Sequence, residues 1–92
     1  MNTIKGKSVL ITGAGRGIGK RLALGFAAAG ARVGLLARSQ PELDLAKLEI
    51  EQAGGQALRL RADVREPEEL AHAVDRLLSS FGGLDILIAA AG

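Results

Sequence analysis

The chain has 92 residues, 48% of them hydrophobic and 24% charged, with 12 Lys and Arg against 10 Asp and Glu for a formal net charge of +2. That length holds one compact domain at most, and the apolar-to-charged balance is that of a chain folding around a core. No cysteine is present, which excludes disulfides, thiolate metal sites and cysteine nucleophiles; with two Phe and no Trp or Tyr, no aromatic platform accompanies the interspersed charges to suggest nucleic acid.

The elements follow in chain order. Ser8–Thr12 is a short apolar run, rich in β-branched residues, that meets Gly13 at once, which predicts a buried parallel strand ending in a tight turn. From Ile18 the period lengthens: Ile18, Leu22 and Phe26 recur every four residues with Ala23 and Ala27 alongside, predicting the apolar face of a helix that Gly30 closes. Residues 31–37 read as a second strand. Ser39 and Glu42 have capping-box spacing, so a helix starts near Gln40, buries Leu43, Ala46, Ile50 and Ala53, and stops at Gly54 and Gly55.

Residues 57–62 form the third strand, and the alternation of Leu58 and Leu60 with Arg59 and Arg61 predicts a position toward a sheet edge. Pro67 followed by Glu68 and Glu69 opens a third helix, whose buried stripe is Leu70, Val74, Leu77, Leu78 and Phe81 and whose end is Gly82 and Gly83. Residues 84–89 are a fourth strand, apolar on both faces. Four strands alternating with three helices through short turns predict an α/β, Rossmann-type doubly wound parallel sheet with strand order 3-2-1-4. The apolar fourth strand would then be an open edge, so residues 1–92 are expected to be a single partial domain whose parent continues past Gly92.

Residues 12–19, Thr-Gly-Ala-Gly-Arg-Gly-Ile-Gly, carry the chemistry. Gly13 can take the positive φ of the strand end, Gly17 lets a diphosphate approach the backbone without a Cβ, and Gly19 permits close packing of helix on strand. Amides at the helix start would then face the phosphates with the helix dipole behind them. A connecting turn needs only one or two glycines. A P-loop is excluded, because counting back from Gly19 and Lys20 lands on Ala14, and Arg21 stands where Ser or Thr would bind magnesium.

Thr followed by G-x-x-x-G-x-G resembles the cofactor motif of the short-chain dehydrogenase/reductase family, carried here by Thr12, Gly13, Gly17, Ile18 and Gly19, with Gly15 inside it. The resemblance implies that Asp63 and Val64 border the adenine, and that Ala91 and Gly92 end an N-N-A-G element beside the nicotinamide ribose. On its own residue chemistry Asp63 reads equally as a turn or capping carboxylate. Both asparagines of that element are replaced, by Ala89 and Ala90.

An acidic residue about 20 positions past the glycine loop accepts from the ribose 2′-hydroxyl of NAD, whereas Arg there suits a 2′-phosphate. The second strand ends Ala37-Arg38-Ser39 with no carboxylate, and Arg16 lies in the loop, so the cofactor is expected to be NADP(H), with NAD(H) the lesser alternative. Either arginine alone would read as a solvated charge. Lys20 and Arg21 are read as solvated helix residues that add long-range attraction, and His72 as a surface residue.

The function implied is reversible hydride transfer between the nicotinamide dinucleotide and a small carbonyl or alcohol. The resemblance places the catalytic Ser and Tyr-x-x-x-Lys beyond residue 92, so these residues are expected to hold cofactor and not to catalyse alone. A non-catalytic nucleotide-binding module and an inactive remnant are the competing readings. The whole protein is expected to be a cytoplasmic homo-oligomer, with no nucleic-acid or membrane partner, since no signal peptide or run of roughly 20 apolar residues is present.

Overall fold

The computed structural model, which describes residues 3–90, alternates strand and helix from end to end: β1 (Ser8–Thr12), α1 (Gly17–Ala28), β2 (Arg32–Ala37), α2 (Gln40–Gln52), β3 (Gln56–Arg61), α3 (Pro67–Phe81) and β4 (Ile86–Ala89). All strand pairs are parallel, in the order β3-β2-β1-β4 expected from the sequence. β1 and β2 are central, and their continuous apolar runs are those of strands covered on both faces.

Alternation along the strands divides the core in two. Val9, Ile11, Val33 and Leu35 pack beneath α1 and α2 with Ala23, Ala27, Leu43, Ala46 and Ile50, while Leu10, Leu36 and Leu60 meet Ala73 and Leu77 of α3 on the other face. Chain direction explains the division. The crossovers β1-α1-β2 and β2-α2-β3 step the same way across the sheet and β3-α3-β4 steps back, so one handedness puts the third helix on the opposite face.

The apolar stripe of α1 contains Ala23 and Ala27 as expected, with Phe26 half-buried against the core, but two of its large residues are not on it. Ile18 is 68% exposed and Leu22 is 37% exposed, and the buried face is instead Gly19, Ala23 and Ala27, one position further along the same four-residue period. The helix lies so close to β1 that a Cβ on Gly19 would run into the carbonyl of Gly13. Only small residues fit such an interface.

Smaller corrections have similar causes. Ala53, expected in the α2 stripe, is the exposed C-terminal cap, and Leu78 of α3 is 42% exposed while Ala73 takes the buried place. β2 starts at Arg32 because the amide of Ala31 closes the α1 exit turn on the Phe26 carbonyl. β4 starts at Ile86, although its pairing begins earlier: the amide of Ser8 donates to the Asp85 carboxylate at 2.8 Å and that of Asp85 to the Ser8 carbonyl at 2.9 Å. β3 spans Gln56–Arg61, not 57–62. It is a sheet edge, as its alternation predicts, with Gln56, Arg59 and Arg61 exposed.

Candidate functional site

The carboxyl ends of the four strands share one cleft. Successive strands step from β1 out to β3 and then return to the far side of β1, so α1 leaves β1 over one face of the sheet while α3 leads to β4 over the other, and the strand order reverses beside β1, the place where doubly wound sheets take ligands. The cleft has a volume of about 890 Å³ and is lined from every strand tip: Gly13 after β1, Arg38 after β2, Asp63 after β3 and Ala90 after β4.

The glycine loop forms its floor. Gly13 turns the chain out of β1 with φ +66°, and the amide of Ala14 donates to the Leu36 carbonyl at 3.1 Å, which pins the loop to β2. Gly15 is buried, and a Cβ there would come within 2.8 Å of Glu42 Oε1 and 3.3 Å of the Ala37 Cβ. Arg16 is extended and exposed as the N-cap of α1. Gly17 follows with φ +62° and open space where a Cβ would be, so both its conformation and its surroundings suit glycine beside a ligand.

The three helix starts differ. At α2 the Ser39 Oγ accepts from the Glu42 amide at 3.4 Å and Glu42 supplies an acid in the first turn; α3 has Pro67, Glu68 and Glu69. Neither α1 nor α3 has a side-chain cap, and α1, unlike the other two, has no acid in its first turn. The amides at the start of α1, with the positive end of the helix dipole, are presented beside Gly17 at the cleft.

Of the residues singled out from the sequence, Gly13, Gly15, Arg16, Gly17, Arg38, Ser39, Asp63 and Val64 meet in this cleft. Thr12 is buried at the end of β1, Gly19 lies beneath the loop against Gly13, and Ile18 is exposed; these three are outside the cleft lining. Ala91 and Gly92 lie outside the described residues. Lys20 pairs with Glu49 of α2 at 3.0 Å, so its charge ties two helices together. His72 is exposed, and no cluster of metal-binding side chains occurs among the described residues.

Two charged residues of the cleft were missed. Glu42 was expected only as a cap partner, yet its carboxylate is turned toward Gly15 and lines the cleft. Arg65 lines the cleft through Asp63, with Nη2 2.7 Å from Oδ2, Nε 3.0 Å from Oδ1 and the backbone amide 2.9 Å from Oδ1. The guanidinium bonds first, and the Arg65 amide after them, hold the Asp63 carboxyl down at about 2. An acid followed two positions on by a long donor was the available signal.

Comparisons with known proteins agree with this geometry. Residues 7–92 match the profile of the short chain dehydrogenases. The 7alpha-hydroxysteroid dehydrogenase of Escherichia coli strain K12 is 42% identical over 89 residues, covering 97% of this chain and 35% of that protein. A crystal structure of 7α-hydroxysteroid dehydrogenase complexed with NADH and 7-oxo glycochenodeoxycholic acid superposes with a TM-score of 0.90 at 42% identity, over 91% of this chain and 33% of that one. L-sorbose reductase from Gluconobacter frateurii, complexed with NADPH and L-sorbose, gives 0.93 at 41% identity, over 100% and 36%. The chain thus spans about a third of the length of these relatives. A sheet of this order, a loop of this spacing and a match over residues 7–92 converge on one assignment: the chain belongs to the short-chain dehydrogenase family.

Proposed function

We propose that these residues form the cofactor-holding part of an NADP(H)-dependent oxidoreductase that interconverts a small carbonyl compound and its alcohol. The observation that carries the reading is the meeting, in one cleft, of the uncapped start of α1 with Arg16 and Arg38, and the absence of a carboxylate at the tip of β2 itself. The cleft suits the group. Gly17 leaves room where a Cβ would stand, and amides and guanidinium groups are the donors a diphosphate and a phosphate monoester need.

In this reading the amides between residues 13 and 19 hold the diphosphate, with Gly15 and Gly17 giving the backbone its close approach. Thr12, Ile18 and Gly19 shape the loop from outside the cleft. Arg16 and Arg38 take the 2′-phosphate, Ser39 lies beside them, and Asp63 and Val64 border the base; Ala91 and Gly92 are assigned to the nicotinamide side. When bound, the nicotinamide supplies the hydride. With no Tyr in 92 residues, this stretch orients the cofactor and does not move the substrate proton. A homo-oligomeric, cytoplasmic whole protein, without nucleic-acid or membrane partners, belongs to the same reading; no helix among the described residues is long and apolar enough to cross a membrane.

Use of NAD(H) is the second reading, and Glu42 favours it: a carboxylate in the cleft can accept from a ribose hydroxyl, and one relative of 42% identity is complexed with NADH. Another, of 41% identity, is complexed with NADPH. Arg38→Asp separates the two. Each charge-assisted hydrogen bond contributes about 1.5–3 kcal/mol, so this substitution should weaken NADPH against NADH by roughly tenfold to a hundredfold or more. An unchanged NADPH-to-NADH affinity ratio in the intact protein would overturn the NADP(H) assignment.

A further inference from the structure

Asp63 follows the last residue of the β3 ladder, where the amide of Ala62 still donates to the Ala37 carbonyl at 3.0 Å. Its backbone is held on both sides: its amide donates to Glu69 Oε1 at 3.1 Å, and its carbonyl accepts from the Glu66 amide at 3.0 Å. Its carboxylate is held by Arg65 alone. An ionised carboxylate offers about four lone-pair positions. The Arg65 amide and Nε occupy those of Oδ1, and Nη2 occupies one on Oδ2, with the 3.2 Å contact from Nε to Oδ2 as a bifurcated arm. One acceptor position on Oδ2 is left, and the fork prevents the carboxylate from turning.

The location gives that position a task. The strand tips run β3, β2, β1, β4, so an extended dinucleotide with its diphosphate over the loop after β1 reaches toward β4 at one end and β3 at the other. The half bearing the 2′-phosphate lies toward Arg38, past β2, and its base therefore lies toward Asp63. This step rests on the cofactor reading above.

We propose that Arg65 is a positioning residue: by fixing the Asp63 carboxylate with one acceptor position open, it makes the cleft select an aminopurine over an oxopurine. The exocyclic amine of adenine donates to the open position. Hypoxanthine presents an acceptor oxygen there and its N–H one atom away. A carboxylate free to turn re-aims at that N–H; one held in a fork does not.

The test titrates the intact protein with NADPH and with reduced nicotinamide hypoxanthine dinucleotide phosphate, following the nicotinamide emission. The native protein should bind NADPH at least about tenfold more tightly, the scale of a polar group left unpaired. Arg65→Ala should bring the ratio below about threefold, and Arg65→Lys, which keeps the charge and loses the fork, should behave like Arg65→Ala. If Arg65→Ala weakens both dinucleotides equally, the side chain acts only as a charge and the inference fails; it fails too if the native ratio is near one while both bind well, an outcome that leaves the cofactor reading intact. Failure of both to bind overturns the cofactor reading and this inference together.

Discussion

Replacing Gly19 and Gly25 by alanine, one at a time, separates what helix α1 owes to its contact with β1 from what it owes to the chain's own preferences. Both glycines lie in the same helix, and both substitutions reduce the freedom of the unfolded chain and raise helix propensity by the same amount, about 1 kcal/mol. The native surroundings differ. A Cβ at Gly25 meets nothing within 4 Å, whereas at Gly19 it runs into the backbone carbonyl of Gly13 and sits 3.3 Å from the Ala14 Cα. A carbonyl in the turn cannot rotate away as a side chain does, so the helix must retreat by about 1.5 Å to recover ordinary contact near 3.5 Å.

That retreat loosens Ala23 and Ala27 from the sheet, and overpacking of this kind costs about 3 kcal/mol, leaving a net loss of about 2 kcal/mol after the propensity gain. Thermal unfolding followed by circular dichroism reads it directly: for a domain of this size each kcal/mol moves the midpoint by about 4–8 °C, so Gly19→Ala should lower it by about 8–16 °C and Gly25→Ala should raise it by about 4–8 °C. Equal shifts, or a Gly19→Ala protein as stable as the native one, would refute the claim that contact with the Gly13 carbonyl excludes a side chain at position 19.

Two further outcomes use the same fold. Ile18→Ser, at a residue 68% exposed, should change stability by no more than about 0.5 kcal/mol, whereas Ala23→Leu, at a fully buried residue, should cost about 1–3 kcal/mol; denaturant midpoints in the reverse order would restore the large-residue stripe. The Asp63 carboxyl should titrate near 2 by carbon NMR, and Arg65→Gln should move it toward the ordinary 3.8. Because the folded value is the depressed one, the stabilisation from the pair is fully present above about 3.8 and is lost as pH falls through about 2, so none of it changes between pH 5 and 8. A native midpoint at or above 3.8 would show that the fork does not persist in solution.

The strand order and the glycine loop were legible because each rests on a signal that survives without neighbours: continuous apolar runs for buried parallel strands, and glycines where the chain must turn at positive φ, as at Gly13 and Gly17. The face of α1 was legible in part: Ala23, Ala27 and the close packing at Gly19 were read correctly, whereas Ile18 and Leu22 were placed on the buried face and are not there. Ile18, Leu22 and Phe26 share a four-residue period with Gly19, Ala23 and Ala27, and any reading weighted by side-chain size chooses the first set. What selects the second is the separation of helix and strand, a distance that no local pattern encodes. Glu42 and Arg65 escaped for a related reason. Glu42 had a complete local explanation as a cap partner, and Arg65 looks like a surface charge until β3 and its turn bring it to the cleft.

The charges of the cleft add up differently once Arg65 is assigned. Asp63 and Arg65 face each other and cancel, so the region by the glycine loop is governed by Arg16, Arg38 and the start of α1 against Glu42 alone. Glu42 itself sits in the first turn of α2, whose positive end offsets part of its charge. A helix start left without a cap is tolerable where water or an anion reaches its amides; the starts of α1 and α2 both open into the cleft, and of these two it is α1 that has neither a side-chain cap nor an acid in its first turn. An excess of donors of this kind favours a ligand with more than one negative group spread along its length, and a neutral sugar or steroid would leave those donors without acceptors. On the proposed reading, the selectivity of this part of the chain is therefore for the dinucleotide, and discrimination among carbonyl substrates falls to other residues.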